Sequence, residues 1–440
     1  MLEEPATFGS RLREARLAAG MTLVGLANAI HYSKSQLSKV ETGRKRPSPE
    51  LARLCDAALG RRGALIALVP TTPRGGKPAT SPPAQDAVAL SPSPAAASDD
   101  RALPAAWAPP GRRQVLGAGA GSVLAAATPA AALPTPALAD GSLLDVSTAL
   151  FDQFRRVGQA APPGAVLPAL AEQTRTLRAL AARTGPRTGR GLLTLCARYA
   201  EFAGWMAQEA GADATALRWT EYAVELGAES GDADLASYAL VRQGLVAYYR
   251  GDAARTVALA QGARSDRLPY RIRGLAAQRE AQGHALAGDD TACLRALDRA
   301  RGLLARAEAE QDPAGPVLGT THLRDPAAMT TGWCLLDLGR PSEAARVLDQ
   351  EIERISAKAM RTQARYGARR ALAHALAGEI DQACAHAREL LSTAHTVASA
   401  TIALDLRRLS RALDRHPRNP AVREVAPLLA FALSPTALAL

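Results

Sequence analysis

Aromatic side chains are scarce in this 440-residue chain: 5 Phe, 8 Tyr and 4 Trp make up 4% of it. A core without many rings has to be built from alanine and leucine, which pack best as closely spaced helices. Cysteine is scarcer still. Cys55, Cys196, Cys293, Cys334 and Cys384 are odd in number and far apart. No C-x-x-C pair and no Cys/His metal spacing occurs, which argues against a disulfide framework and against a zinc site. No convincingly apolar run reaches the roughly 18 residues that a membrane span needs, so no membrane association is expected. H-E-x-x-H, a G-x-S-x-G with partners, and a phosphate-loop lysine are all missing. His284, His374, His386 and His395 lie on helical patterns and read as surface or packing residues. The expectation is a protein that is not an enzyme, with no metal and no cofactor.

What is present is an uneven distribution of charge. Of the net +11, residues 1–69 carry 11 basic against 6 acidic side chains, whereas residues 140–440 carry 37 against 33. A basic head on a near-neutral body points to a polyanion partner for the head. Composition divides the chain in the same places: a head over 1–69, a Pro/Ala/Gly-rich linker over 70–142, and a helical body over 143–440. The linker has too little bulky apolar surface to offset the entropy of ordering.

Within the head, residues 7–60 carry four short helical patterns. Thr22 is a good N-cap, followed by Leu23, Leu26, Ala27 and Ile30 at i, i+3, i+4, i+7. Ser33 and Gln36 read as an S-x-x-Q capping box opening the third helix. The fourth follows Pro47-Ser48-Pro49. The stretch from Arg11 to Gly60 resembles the phage-repressor type helix-turn-helix family of xenobiotic-response-element regulators. The resemblance is carried by Leu12-Arg13, Arg16, Ala19-Gly20-Met21-Thr22, Leu26-Ala27, Ser33, Leu37-Ser38, Val40-Glu41, Gly43-Arg44 and Pro47-Ser48. It implies a third helix in the major groove of double-stranded DNA. Lys34, Ser35, Gln36 and Lys39 would read base edges, since Lys suits guanine acceptors and Gln pairs bidentately with adenine. Ser33, Arg44, Lys45 and Arg46 would hold phosphates, which position but do not specify. Arg16 and Glu41 match a structural ion pair joining the first helix to the third. Leu23-Val24-Gly25 departs from the Gln-Glu that often opens the second helix in this family, where the Gln bonds a phosphate or a neighbouring recognition side chain, although the helix amides themselves can still face the backbone.

The body repeats. Segments beginning GADATALRW, GDAARTVAL, GDDTACLRA, GRPSEAARV and GEIDQACAH start at Gly211, Gly251, Gly288, Gly339 and Gly378, spaced 40, 37, 51 and 39 residues apart. A Pro/Gly-rich loop at 311–326 accounts for most of the excess in the longest interval. Turns at such a period between two helices, with small residues at their crossing, are the signature of tetratricopeptide-type α-solenoids. The fold class is therefore all-α. If the glycines mark turns within pairs, the concave face draws on 192–208, 233–249, 270–286 and 361–376. Arg198, Trp205, Arg242, Tyr249, Gln278 and Arg365 fall near groove-facing positions. Arginines with aromatics and an amide suit a peptide or its terminal carboxylate.

The whole chain resembles bacterial regulators, of actinobacterial type, that join such a DNA reader to a tetratricopeptide-like domain. The resemblance implies sequence-specific transcriptional regulation in the cytoplasm, by a homodimer whose repeats dimerise or sense a peptide or protein ligand. The rival reading is a repeat-based interaction adaptor with a vestigial head. Residues 111–140 look like a twin-arginine export signal, with Arg112-Arg113 and Ala137-Leu138-Ala139, but the segment is internal and broken by Pro129, Pro134 and Pro136. It is read as linker, and its Gly117–Ser122 turn lacks the strand that a dinucleotide site requires.

Overall fold

A computed structural model of the chain describes residues 7–69, 140–310 and 317–434. The linker segments discussed above up to residue 139 lie outside the described residues. The described residues form eighteen α-helices, one short 3-10 turn and no strand.

The head consists of α1 (Phe8–Ala18), α2 (Leu23–Ala29), α3 (Lys34–Glu41) and α4 (Pro49–Ala58). Each begins at a hydroxyl cap. Thr7, Thr22, Ser33 and Ser48 accept from the amides of Ser10, Gly25, Gln36 and Leu51, satisfying donors that a helix start would leave orphaned. Their inner faces close over Leu12, Leu26, Leu37, Val40, Leu51 and Cys55. Gly9 lets α1 cross the end of α3, for a Cβ there would stand 2.5 Å from the Glu41 carbonyl oxygen. Buried Asp56 accepts the Leu65 and Ile66 amides, each at 2.9 Å, and folds the turn Ile66–Leu68 back onto α4.

The body opens with α5 (Asp140–Ala160) and α6 (Pro163–Ala181) and continues as six antiparallel pairs. These are α7 and α8 (Pro186–Glu209, Asp213–Ser230), α9 and α10 (Asp234–Tyr249, Ala253–Gly262), and α11 and α12 (Tyr270–Ala287, Asp290–Ala309). The last three are α13 and α14 (Pro326–Asp337, Pro341–Ile352), α15 and α16 (Met360–Leu376, Ile380–Val397), and α17 and α18 (Ala400–Leu413, Pro420–Ala432). Gly211, Gly251, Gly288, Gly339 and Gly378 are the turns within five of these pairs, all with φ between 78° and 87°. That left-handed conformation is open to glycine at little cost. Ala216, Ala223, Ala300, Ala344 and Ala383 are buried where the paired helices meet.

The first helix of each pair faces inward, and the stack curves until its ends touch. Glu209, at the end of α7, is the buried acceptor for Arg361 and Arg365 of α15 and for Ser399 and Thr401 at the start of α17. Helix α5 crosses the gap: its Gln159 accepts from Thr362, and Arg361 donates to the Gly158 and Ala161 carbonyls.

The head is not set apart from the body. Its core residues and those of α13, α15 and α17 form one continuous buried cluster. Three successive pair turns take the contact. Cβ atoms built on Gly288, Gly339 and Gly378 would meet Gly63 Cα at 2.6 Å, the Arg53 carbonyl oxygen at 2.5 Å and the His31 ring at 2.8 Å. Arg408 of α17 donates to Glu50 at 2.8 Å, and the Arg415 guanidinium lies 4.3 Å from the Tyr32 ring centroid.

Candidate nucleic-acid interface and ligand pocket

Docking leaves α3 facing outward. Lys34, Ser35 and Lys39 are exposed and Gln36 is half-exposed, and Ser33, Arg44, Lys45 and Arg46 extend the same exposed surface. The side chains of Lys34, Ser35, Gln36, Lys39, Arg44, Lys45 and Arg46 make no hydrogen bond or ion pair to other described residues, so their donors are free. The capping box is only half formed. The Gln36 amide donates to Ser33 Oγ at 3.2 Å, but the Gln36 side chain does not return the bond. Ser33 is thereby committed to capping, and the Gln36 carboxamide remains available.

Beneath this face, Arg16 and Glu41 form a bidentate pair at 2.6 and 3.0 Å, and Arg16 also donates to the Met21 carbonyl at 2.9 Å. The hydrogen bond to Glu41 raises the Arg16 pKa against the opposing effect of burial. Such a pair sets the angle of α3, because removing either partner strands a buried charge. His31 occupies the turn between α2 and α3 with φ 52°, exposed but seated against Gly378.

On the inner face of the body, Arg198, Trp205, Arg242, Gln278 and Arg365 line one cavity of about 180 Å³. Tyr249 is not in its wall; its hydroxyl accepts from Arg365 and Arg369 behind it. Two arginines are partly committed elsewhere, Arg198 to Asp232 at 2.8 Å and Arg365 to Glu209. Burial alone would push the Glu209 carboxyl up, yet Arg365 and Arg361 hold it down at about 2. The wall also contains groups that the sequence did not single out: Arg155, Arg279, Trp333 and Tyr366. Trp333 belongs to α13, the helix before Gly339, which the expected concave face did not include. The loop preceding α13 supplies a further wall. Arg155 donates to the Val317 and Gly319 carbonyls, and Arg271 to those of Leu318 and Thr320, which pins 317–320 across the opening.

Among the described residues, one other cluster has ligating chemistry. Asp349, His374 and His386 bring three ligand atoms within 4.8 Å of one another, a grouping invisible to local spacing rules. Arg370 lies 4.0 Å from Asp349 and 3.2 Å from Glu389. A cation therefore already balances these carboxylates, and the cluster reads as an ion-pair network. Among the described residues no helix is long and apolar enough to cross a membrane.

Comparison with known proteins agrees with the geometry of the head. Searches among curated proteins and solved structures return no match to the chain. Residues 7–69 match the family described as a helix-turn-helix domain, which supports a DNA-binding regulator.

Proposed function

We propose that this protein is a sequence-specific transcriptional regulator, cytoplasmic and without enzymatic activity. Its repeat body dimerises, senses a peptide or protein ligand, or does both. The observation that carries the reading is the row of unpartnered donors on α3, exposed above the packed core of the head. A vestigial head would have no need of a bidentate ion pair holding that row in place.

In a dimer the two α3 helices would read half-sites about one helical turn, roughly 34–36 Å, apart. Lys34→Ala or Gln36→Ala is expected to relax sequence preference by about 1–3 kcal/mol per lost base contact. Arg44→Ala is expected to weaken all sequences alike and to flatten the salt slope by about one phosphate. Selection of binding sites from random duplexes, followed by salt titrations of each variant, tests both. Unchanged specificity in Gln36→Ala would show that α3 is not the reading helix. The sensing part rests on the arginine- and aromatic-lined cavity enclosed by the stack.

A further inference from the structure

The cavity wall is unevenly charged. Arg155, Arg198, Arg242, Arg279 and Arg365 line it against one carboxylate, Glu201. Arg198 and Arg365 have acids of their own behind the wall, and Arg242 shares Glu201 at 3.5 Å with the Tyr238 hydroxyl. Arg279 has none. Its one hydrogen bond goes to the neutral side chain of Gln282, and no described carboxylate lies within ion-pair distance of it. Burial and the neighbouring Arg242 push its pKa down to about 10. The position is built rather than accidental. Gly244 of α9 makes room for the Arg279 stem, since a Cβ there would lie 2.9 Å from Arg279 Cγ. Beside it, Gln278 and Arg242 are 6% and 7% exposed, and Gln278 Nε2 and Arg279 Nε are buried without hydrogen-bond partners. Buried donors and a half-buried cation without an acid are costly unless something of opposite charge completes them.

We infer that this cavity is the seat of a carboxylate, bound by Arg279 with Arg242 and Gln278, whose apolar body rests on Leu245, Leu275 and Trp333. The inference deepens the sensor reading and rests on it. The enclosed volume is below the roughly 300–1,000 Å³ typical of drug-sized ligands, so it admits a carboxylate and one side chain. A wider groove of about 900 Å³ shares Arg198, Thr320, Leu323 and Pro326 with the cavity and leads outward. The same chemistry is offered by a free organic acid and by the last residue of a peptide whose remainder lies in that groove.

The test is calorimetry on the full chain with four probes: N-acetyl-leucine, its amide, and a leucine-terminated pentapeptide as free acid and as amide. The acids are expected to bind at least tenfold more tightly than the matching amides. Arg279→Gln should abolish that preference and Arg279→Lys should restore part of it. A pentapeptide acid that outbinds N-acetyl-leucine identifies a peptide terminus, and equal affinity identifies a small acid. Without ligand, Arg279→Gln should melt no lower than wild type, because it removes an unpaired charge. Acids and amides binding equally, or an unaltered preference in Arg279→Gln, would overturn the carboxylate seat while leaving the sensor intact. No binding by any probe would overturn the seat as well, and with peptide libraries equally silent the sensor reading falls too.

Discussion

Gly251 and Gly339 offer a matched pair of perturbations. Both close a helix-pair turn, with φ 80° and 78°. A Cβ on Gly251 would meet nothing within 4 Å, whereas one on Gly339 would sit 2.5 Å from the Arg53 carbonyl oxygen and 3.1 Å from the Leu54 amide nitrogen. Alanine in the left-handed region costs about 1–2 kcal/mol, offset by about 0.4–1 kcal/mol from a less flexible unfolded chain. Gly251→Ala should therefore lose about 1 kcal/mol. Gly339→Ala carries the same local cost and in addition meets backbone of the head, which has no rotamer with which to give way. Helix α4 has to move back from the body, loosening the packing around Leu54 and Tyr32. The expected total is about 3 kcal/mol, within the usual range for overpacking a close contact. Urea unfolding of the full chain followed by circular dichroism measures both. If the head lifts off first, the Gly339→Ala curve splits, with an early transition. Two variants with single transitions of the same midpoint would refute the docking of head on turns.

Arg408→Met should cost about 3–5 kcal/mol in the same assay, because it leaves Asp337, buried at 1% side-chain exposure, without its ion-pair partner and Glu50 without its donor, while Asp405 keeps Arg369 at 2.8 Å. A loss below about 1 kcal/mol would show that Arg408 does not hold the junction. Glu209 supplies an acid-dependent term. Its folded pKa of about 2 lies below the ordinary 4.5, so its contribution is complete above pH 4.5 and is lost as pH falls towards 2. That difference corresponds to about 3 kcal/mol. Melting profiles between pH 7 and pH 2 should be flatter on the acid side for Glu209→Gln, and a parallel profile would refute the assignment.

Much of this architecture was legible because its signals are local. A glycine at the end of one helix and a small residue in the next lie within a dozen positions of each other. Both the pair turns and the inward-facing helices follow from them. Counting back from those turns brings Arg198, Trp205, Arg242, Gln278 and Arg365 together, and all five line the cavity. Tyr249 fell behind the wall because at its position, the last of α9, a small rotation separates cavity from core. Other features depend on closure of the stack and leave no local trace. Glu209 meets Arg361 across 152 residues, and Glu50 meets Arg408 across 358. Arg279 resembles any other helical arginine in the sequence. Its distinction is the absence of an acid around it, which only the packed helices define. The docked head was missed for a related reason, since a turn glycine looks the same whether solvent or another backbone lies beyond it.

The cavity and the head are joined by consecutive polar contacts. Trp333, in the cavity wall, donates to the Tyr248 hydroxyl at 2.5 Å, Tyr248 donates to Asp337, Asp337 meets Arg408 at 3.3 Å, and Arg408 donates to Glu50 of α4. A ligand alters DNA binding only through different affinities for two arrangements of this path, and DNA must then change ligand affinity by the same factor. Docking also has a consequence for operator geometry. If the proposed dimer forms through the body, heads fixed by Gly288, Gly339, Arg408 and Arg415 have their separation set by the repeats. The linker then closes a loop between parts already in contact, and its length enters only weakly, at about 0.6 kcal/mol per doubling. Deleting residues 80–100 should therefore leave the spacing of selected half-sites unchanged, with affinity altered less than about threefold. The measurement is site selection from random duplexes with the deletion variant beside the wild type. Half-sites that relax to variable spacing in the wild type, or whose spacing follows linker length, would show that the heads read DNA undocked.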